Sequence, residues 1–160
     1  MAIHDMAIQK LNVALCMDRA GLSGDDGPTH HGLFDIGYLR HIPNWVHMQP
    51  KDEDEFVDML WTMANYNAGP IAIRYPRGAG TGAKPKPEPK LLEIGKAEVV
   101  QHGREVAIFG LGNMFEVAEE AARKLQEKEF PSRSLTRAGS NRSIPGRWNF
   151  CSRRRSPLHH

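Results

Sequence analysis

The stretch "DRAGLSGDDGPTHHGLFD", Asp18 to Asp35, decides how the rest of the chain is read. It packs four glycines and a proline into a short span and follows the apolar run "NVALCM", Asn12 to Met17. That run reads as a buried strand of a parallel sheet. A long Gly-rich loop thus leaves the C-terminal end of a strand, the edge at which open α/β sheets bind ligands. Arg19, Asp26 and His30 share this loop. A carboxylate near an imidazole orients it for proton transfer, and a guanidinium clamps a phosphate or carboxylate. Spacing alone also allows a plain polar surface loop, because such loops carry charge anyway. His31 adjoins His30, and spacing does not choose between them.

Working outward, "NWVHMQP" (Asn44–Pro50) reads as a second strand. "KDEDEFVDMLWTMANY" opens with acidic residues, which suit a helix N-terminus. Phe56, Met59, Leu60 and Met63 form an i, i+3, i+4, i+7 stripe, so the helix is amphipathic. "GPIAIRYPRG" (Gly69–Gly78) is a third strand and delivers Arg74 and Arg77 at its end. Two arginines there suit an anion, although in isolation an exposed sheet edge explains them better. "GAGTGAKPKPEPK" (Gly78–Lys90) is an extended polar linker. A second α/β unit follows: a strand, a turn at His102-Gly103, a strand, the turn "GLGN" and a helix with the stripe Val117, Ala118, Ala121, Leu125. The GxG turn lacks the full dinucleotide fingerprint, so close packing of helix on sheet explains it better than a phosphate cradle.

The net charge of +2 hides an asymmetry. From Pro131 onward there are seven arginines and no acidic residue, which leaves 14 basic against 19 acidic residues upstream. A basic tail on an acidic body is one form of nucleic-acid arm, but no aromatic interleaving accompanies it. Cys16 and Cys151 show no metal or CxxC spacing, which fits a reducing compartment. No apolar stretch approaches membrane length. The chain reads as soluble and cytoplasmic, with no nucleic-acid or membrane partner.

The loop and the arginine strand together are more specific than either alone. "IHDMAIQKLNVALCMDRAGLSGDDGPTHHGLFDIGYLRHIPNWVHMQPKDEDE" with "GPIAIRYPRG" closely resembles the 1-deoxy-D-xylulose-5-phosphate synthases, transketolase-like enzymes dependent on thiamine diphosphate. The resemblance implies an α/β fold. Residues 1–78 would be the C-terminal part of a transketolase-like pyrimidine-binding domain, with a parallel sheet and flanking helices. Residues 79–92 would be a linker, 93–130 the beginning of the transketolase C-terminal domain, and 131–160 a disordered tail. It implies a condensation of pyruvate with glyceraldehyde 3-phosphate with loss of CO2, in a homodimer. Asp26 and His30 would be catalytic, and Arg19 and Arg77 would hold the phosphate of the acceptor. Of the adjacent histidines, His30 matches the family pattern and His31 falls at a variable position.

The resemblance assigns no cofactor-binding or metal-ligating residue to this chain. The family holds the diphosphate and Mg2+ through a GDG motif, which is absent; "GDDGPT" is similar only in letters. The catalytic glutamate lies upstream of the matching stretch. The chain is therefore expected not to bind thiamine diphosphate or turn over alone, and its sheet to have an unpaired edge. Rival readings are another thiamine-diphosphate enzyme, such as transketolase or a 2-oxo acid dehydrogenase β-subunit, and a non-catalytic interaction fragment. The tail departs from the family. Codons chosen for Thr136 to Phe150 and shifted by one base translate as a string that begins Asn-Pro-Arg-Trp-Ile-Lys-Pro-Ile-Asp, which resembles the phrase the family has there. A coding frameshift near Lys128 accounts for the arginines, and a genomic codon set incompatible with the second reading would exclude it.

Overall fold

The computed structural model describes residues 1–102 and 106–127, together with the backbone of 134–137 and 142–143. After a helical turn at Ala2–Ala7 come strand β1 (Ala14–Met17), a long loop, helix α1 (Asp35–Leu39) and strand β2 (Val46–Met48). Helix α2 (Glu53–Asn65) and strand β3 (Ile71–Arg74) follow. The second unit contains β4 (Glu98–Gln101), β5 (Ala107–Gly110), α3 (Phe115–Glu127) and β6 (Ser134–Arg137), and the last element is β7 (Arg142–Ser143). The strands form two sheets, of order β1-β3-β2-β7 and β4-β6-β5.

β3 lies at the centre of the first sheet, parallel to β1 on one side and β2 on the other. All four of its residues are buried, as expected for a continuous apolar run covered on both faces. Alternation along the strand divides the core. Ile71 and Ile73 pack with Val46, Met48, Met59 and Met63 beneath α2. Ala72 packs on the opposite face with Ala7, Leu39, Ile42 and Trp45. In β2 the same alternation sends Val46 and Met48 into the α2 side and His47 to the other.

Helix α2 begins where the sequence places an acidic start. Asp52 is its N-cap and accepts from the Glu55 N–H at 2.8 Å, while the Glu55 carboxylate accepts from Lys51 N–H at 2.9 Å. The pair resembles a capping box displaced by one residue. Of the expected stripe, Met59 and Met63 are buried and Phe56 is partly buried, but Leu60 is exposed. Asp58 and Thr62 take buried positions instead, because they serve the chain that crosses the helix.

That chain is the stretch expected to be a linker. It has no helix or strand, yet it is fastened along α2. Glu53 accepts from Thr81 Oγ1 at 2.7 Å and from Gly82 N at 2.8 Å. Asp54 accepts from Lys86 N at 2.8 Å, Asp58 from Lys90 N at 2.7 Å, and Thr62 Oγ1 from Leu92 N at 2.9 Å. Glu53 and Asp54 begin a row that Asp58 and Thr62 continue at four-residue spacing, so the acceptors share one helix face. The Lys86 ammonium pairs with both Asp54 and Asp58.

In α3 the buried side differs from the expected stripe. Ala122 is buried and Ala118 and Leu125 are half-buried, whereas Val117 is 58% exposed and Ala121 is exposed. The face turned to the sheet is Phe115, Ala118, Ala122, Leu125, rotated from the line read in the sequence. β1 keeps one edge with no strand partner among the described residues. β6 lies parallel to β5 and antiparallel to β4, and β7 is antiparallel to β2. Pairing of this kind needs an open strand edge rather than an apolar period. The remainder of the tail expected to be disordered lies outside the described residues.

Candidate functional site

The loop from Asp18 to Phe34 folds back on itself at the C-terminal edge of the first sheet. Ala20 N donates to Tyr75 O at 2.9 Å, which ties the loop's start to the end of β3. Gly32 closes the loop: its N–H lies 3.0 Å from both Arg19 O and Gly21 O, and its carbonyl accepts from Gly21 N at 2.9 Å. A Cβ at position 32 would overlap the Arg19 carbonyl oxygen, so only glycine permits this approach. Arg19 itself has φ of 58°, a conformation that is uncommon for a residue with a side chain. Strain of this kind is retained where the surroundings enforce it.

Three of the four residues singled out from sequence meet here. Asp26 stands between two guanidinium groups. One carboxylate oxygen accepts from Arg19 Nε at 2.8 Å and the other pairs with Arg77. Arg19 also pairs with Asp18. The hydrogen bond from Arg19 and the charge of Arg77 hold the Asp26 carboxyl below the usual carboxylate range. The Asp26 hydrogen bond, followed by the charge of Asp18, raises Arg19. With Asp18 the cluster holds two carboxylates against two guanidiniums, so its formal charges balance, and Asp26 bridges the two cations. The Arg77 side chain is 51% exposed.

The fourth residue, His30, does not reach Asp26 by any hydrogen bond that the structure records. Its Nδ1 lies 3.0 Å from Thr29 Oγ1, at an exposed position. The neighbouring histidine plays a different part. His31 Nδ1 accepts from Ser23 N at 3.0 Å, and Ser23 Oγ donates to the His30 carbonyl at 2.8 Å. His31 thus fixes the loop, while the His30 ring stands outward.

A second charged cluster lies beneath the loop, and sequence reasoning did not find it. Arg74 is 6% exposed. Its Nε lies 2.7 Å from Asp35 Oδ2, one terminal nitrogen donates to Gln49 Oε1 at 2.9 Å, and the other donates to Gly32 O at 2.6 Å. The arginine at this strand end is therefore held by its own chain, through two hydrogen bonds and the ion pair with Asp35. His47 Nε2 is 3.6 Å from the same Asp35 oxygen. Burial outweighs that carboxylate and lowers the His47 imidazole to about 4, so it is neutral at pH 7. Gln49 Nε2 donates onward to Asn113 Oδ1 at 3.2 Å, in the turn before α3. The only sequence signal was Arg74 itself; its partners Gln49 and Gly32 lie 25 and 42 residues away, and Asp35 is as remote in sequence.

Residues 1–81 match the family described as transketolase, pyrimidine binding domain. The chain belongs to that family. Among curated relatives of this transketolase-type chain, the 1-deoxy-D-xylulose-5-phosphate synthase of Methylacidiphilum infernorum (isolate V4) is 62% identical over 125 residues, covering 78% of this chain and 20% of the relative. That of Acidobacterium capsulatum is 56% identical over 128 residues, covering 80% and 20%. The chain thus spans about a fifth of the length of these relatives. Among solved structures, a split-gene transketolase described as an inactive β4 tetramer superposes with a TM-score of 0.70 at 26% identity, covering 87% of this chain and 43% of that one. Transketolase from Campylobacter jejuni superposes at 0.65 with 20% identity, over 84% of this chain and 21% of that one, which shows the shared fold.

The transketolase-like family depends on thiamine diphosphate. Among the described residues, no group of three or more His, Cys, Asp or Glu side chains is placed to hold a metal ion. In this transketolase-type site the carboxylates of Asp18 and Asp26 are already paired with Arg19 and Arg77. Arg19 and Arg77 suit an anion, and a Mg2+–diphosphate pair would need carboxylates that these residues do not supply. No helix among the described residues is long and apolar enough to cross a membrane.

Proposed function

We propose that the chain is part of a 1-deoxy-D-xylulose-5-phosphate synthase, the enzyme that joins pyruvate to glyceraldehyde 3-phosphate with loss of CO2. In that enzyme the chain supplies the site for the acceptor aldehyde. The observation that carries this reading is the meeting of Arg19, Asp26 and Arg77 at the C-terminal edge of β1 and β3. Asp26 fixes one side of each guanidinium, so both forks are aimed before the ligand arrives. The remaining N–H groups suit the phosphate of glyceraldehyde 3-phosphate, which arginine binds with bidentate geometry. Preorganisation of this kind lowers the ordering cost of binding.

His30 serves as the proton-handling group. Thr29 holds one ring nitrogen, and Nε2 is the nitrogen that would exchange a proton with a substrate oxygen. Asp26 acts through the arginines it orients. Thiamine diphosphate supplies the family's carbon–carbon chemistry, and it is held with Mg2+ by parts of the enzyme outside this chain. The working enzyme is a cytoplasmic homodimer, and residues 93–130 begin its C-terminal domain. Alone, this chain has no synthase activity. Calorimetry tests both halves of the reading: the chain binds glyceraldehyde 3-phosphate but not thiamine diphosphate with Mg2+. Synthase turnover by the purified chain, or failure to bind the aldehyde phosphate, would refute it.

A further inference from the structure

Arg74 lies at the last position of β3, on the face that also carries Ala72. Its guanidinium is engaged on three sides, by Asp35, by Gln49 and by the Gly32 carbonyl. Gly32 in turn donates to the Arg19 carbonyl at 3.0 Å, and it is the residue whose lack of Cβ lets Arg19 approach. The φ of Arg19, 58°, is unfavourable without such support. On the other side, Gln49 donates to Asn113, and a Cβ at Gly112 would overlap the Gln49 amide. The turn before α3 is therefore seated on the same side chain that Arg74 holds.

We propose that Arg74 is a positioning residue for the site: its fork fixes the Gly32 carbonyl, and through it Arg19, while Gln49 ties the same fork to Asn113 of the second unit. The inference rests on the reading of Arg19 and Arg77 as the acceptor-phosphate pair. A guanidinium is required because three acceptors in different directions must be met by one rigid group. A lysine answers the Asp35 charge but lacks the planar fork. Residues that orient the ligands of metal sites commonly change affinity by about 10–100-fold when altered, and the lower end of that range is the scale expected here.

The test uses the full chain with two readouts, the Nε–Hε resonance of Arg19 by NMR and the affinity for glyceraldehyde 3-phosphate by calorimetry. Arg74→Lys keeps the buried charge compensated, so thermal unfolding controls for the fold. The expected result is a displaced or lost Arg19 Nε–Hε resonance and affinity weakened by roughly 10-fold. A folded Arg74→Lys chain with both signals as in the parent overturns the inference. If Arg74→Lys does not fold, Gln49→Met loosens one arm of the fork only, and it must move the same resonance to a smaller extent; no movement overturns the inference. A parent chain that binds no aldehyde phosphate, yet loses the Arg19 resonance in Arg74→Lys, refutes the functional reading and leaves the positioning role standing.

Discussion

Two arginine–carboxylate clusters lie at the end of β3, one above the other, and they use the same chemistry for opposite ends. In the upper cluster Asp26 joins Arg19 and the half-exposed Arg77 on a loop. In the lower one Asp35 joins Arg74 inside the protein, with Gln49 and the Gly32 carbonyl completing the fork. Solvent screens the upper pair, so its contribution to stability is small. Burial makes the lower pair intolerant of losing one partner, since a lone charge would remain in a poorly solvated place. The exposed cluster leaves Arg77 open to solvent, and in the proposed reading open to a ligand, whereas the buried cluster uses its donors on the loop.

The largest effect is expected below. Arg74→Met leaves Asp35 uncompensated and should cost about 3–5 kcal/mol of folding stability by urea denaturation. Pairing it with Asp35→Leu should restore much of that loss. Equal losses for the single and double variants would mean that the buried pair is not what the single variant breaks.

Next comes the pH dependence of the same interior. His47 is held at about 4, below its unfolded value of about 6.5, because burial disfavours the charged form. Between those values the unfolded chain binds more protons than the folded one, so stability rises with pH. Full stability should be present above about pH 6.5 and decline as pH falls toward 4, at up to about 1.4 kcal/mol per pH unit. His47→Gln should flatten that slope, and an unchanged slope would place the titration elsewhere.

A smaller and more local effect is expected where the crossing chain is fastened to α2. Hydrogen bonds from Thr81 and Gly82 lower Glu53 to about 2. A depressed carboxyl stabilises above its unfolded value and loses that contribution as pH falls through the folded one. Protection of the Gly82 amide, relative to its intrinsic exchange rate, should therefore fall between about pH 4 and pH 2, and in Glu53→Gln it should already be lower at pH 6. Protection at Gly82 that is unchanged in Glu53→Gln would show that the carboxylate does not hold the strap. The smallest change in stability should follow Asp26→Asn, in the exposed cluster. Its urea midpoint should shift less than that of any variant above, although the Arg19 Nε–Hε resonance moves. A midpoint shift as large as that of Arg74→Met would erase the contrast between the clusters.

Much of the first unit was legible in sequence because its signals are local. The apolar runs gave β1 and β3 as strands, although β1, read as buried, is an edge strand of exposed and half-buried residues, and the acidic start of α2 coincides with its N-cap at Asp52. Arg19 and Asp26 are seven residues apart on one loop, so their pairing was within reach of spacing. Arg74 was not legible as a buried group, because nothing near it in sequence announces Asp35 or Gly32. The face of α3 was misjudged because alanines lie on neighbouring lines of the helix, and only contact with the sheet selects Ala122 over Ala121. Leu60 was displaced from the α2 stripe for a related reason: Asp58 and Thr62 are buried by a chain that arrives more than 25 residues later.

The central claim is that Arg19 and Arg77 form an anion site aimed at an aldehyde phosphate. The most direct measurement is an NMR titration of the full chain with glyceraldehyde 3-phosphate, observing the arginine Nε–Hε resonances. The account predicts saturable shifts at Arg19 and Arg77, little change at Arg74, and loss of the response in an Arg19→Met, Arg77→Met double variant. Absence of saturable shifts at Arg19 and Arg77, or an identical response in the double variant, would contradict it.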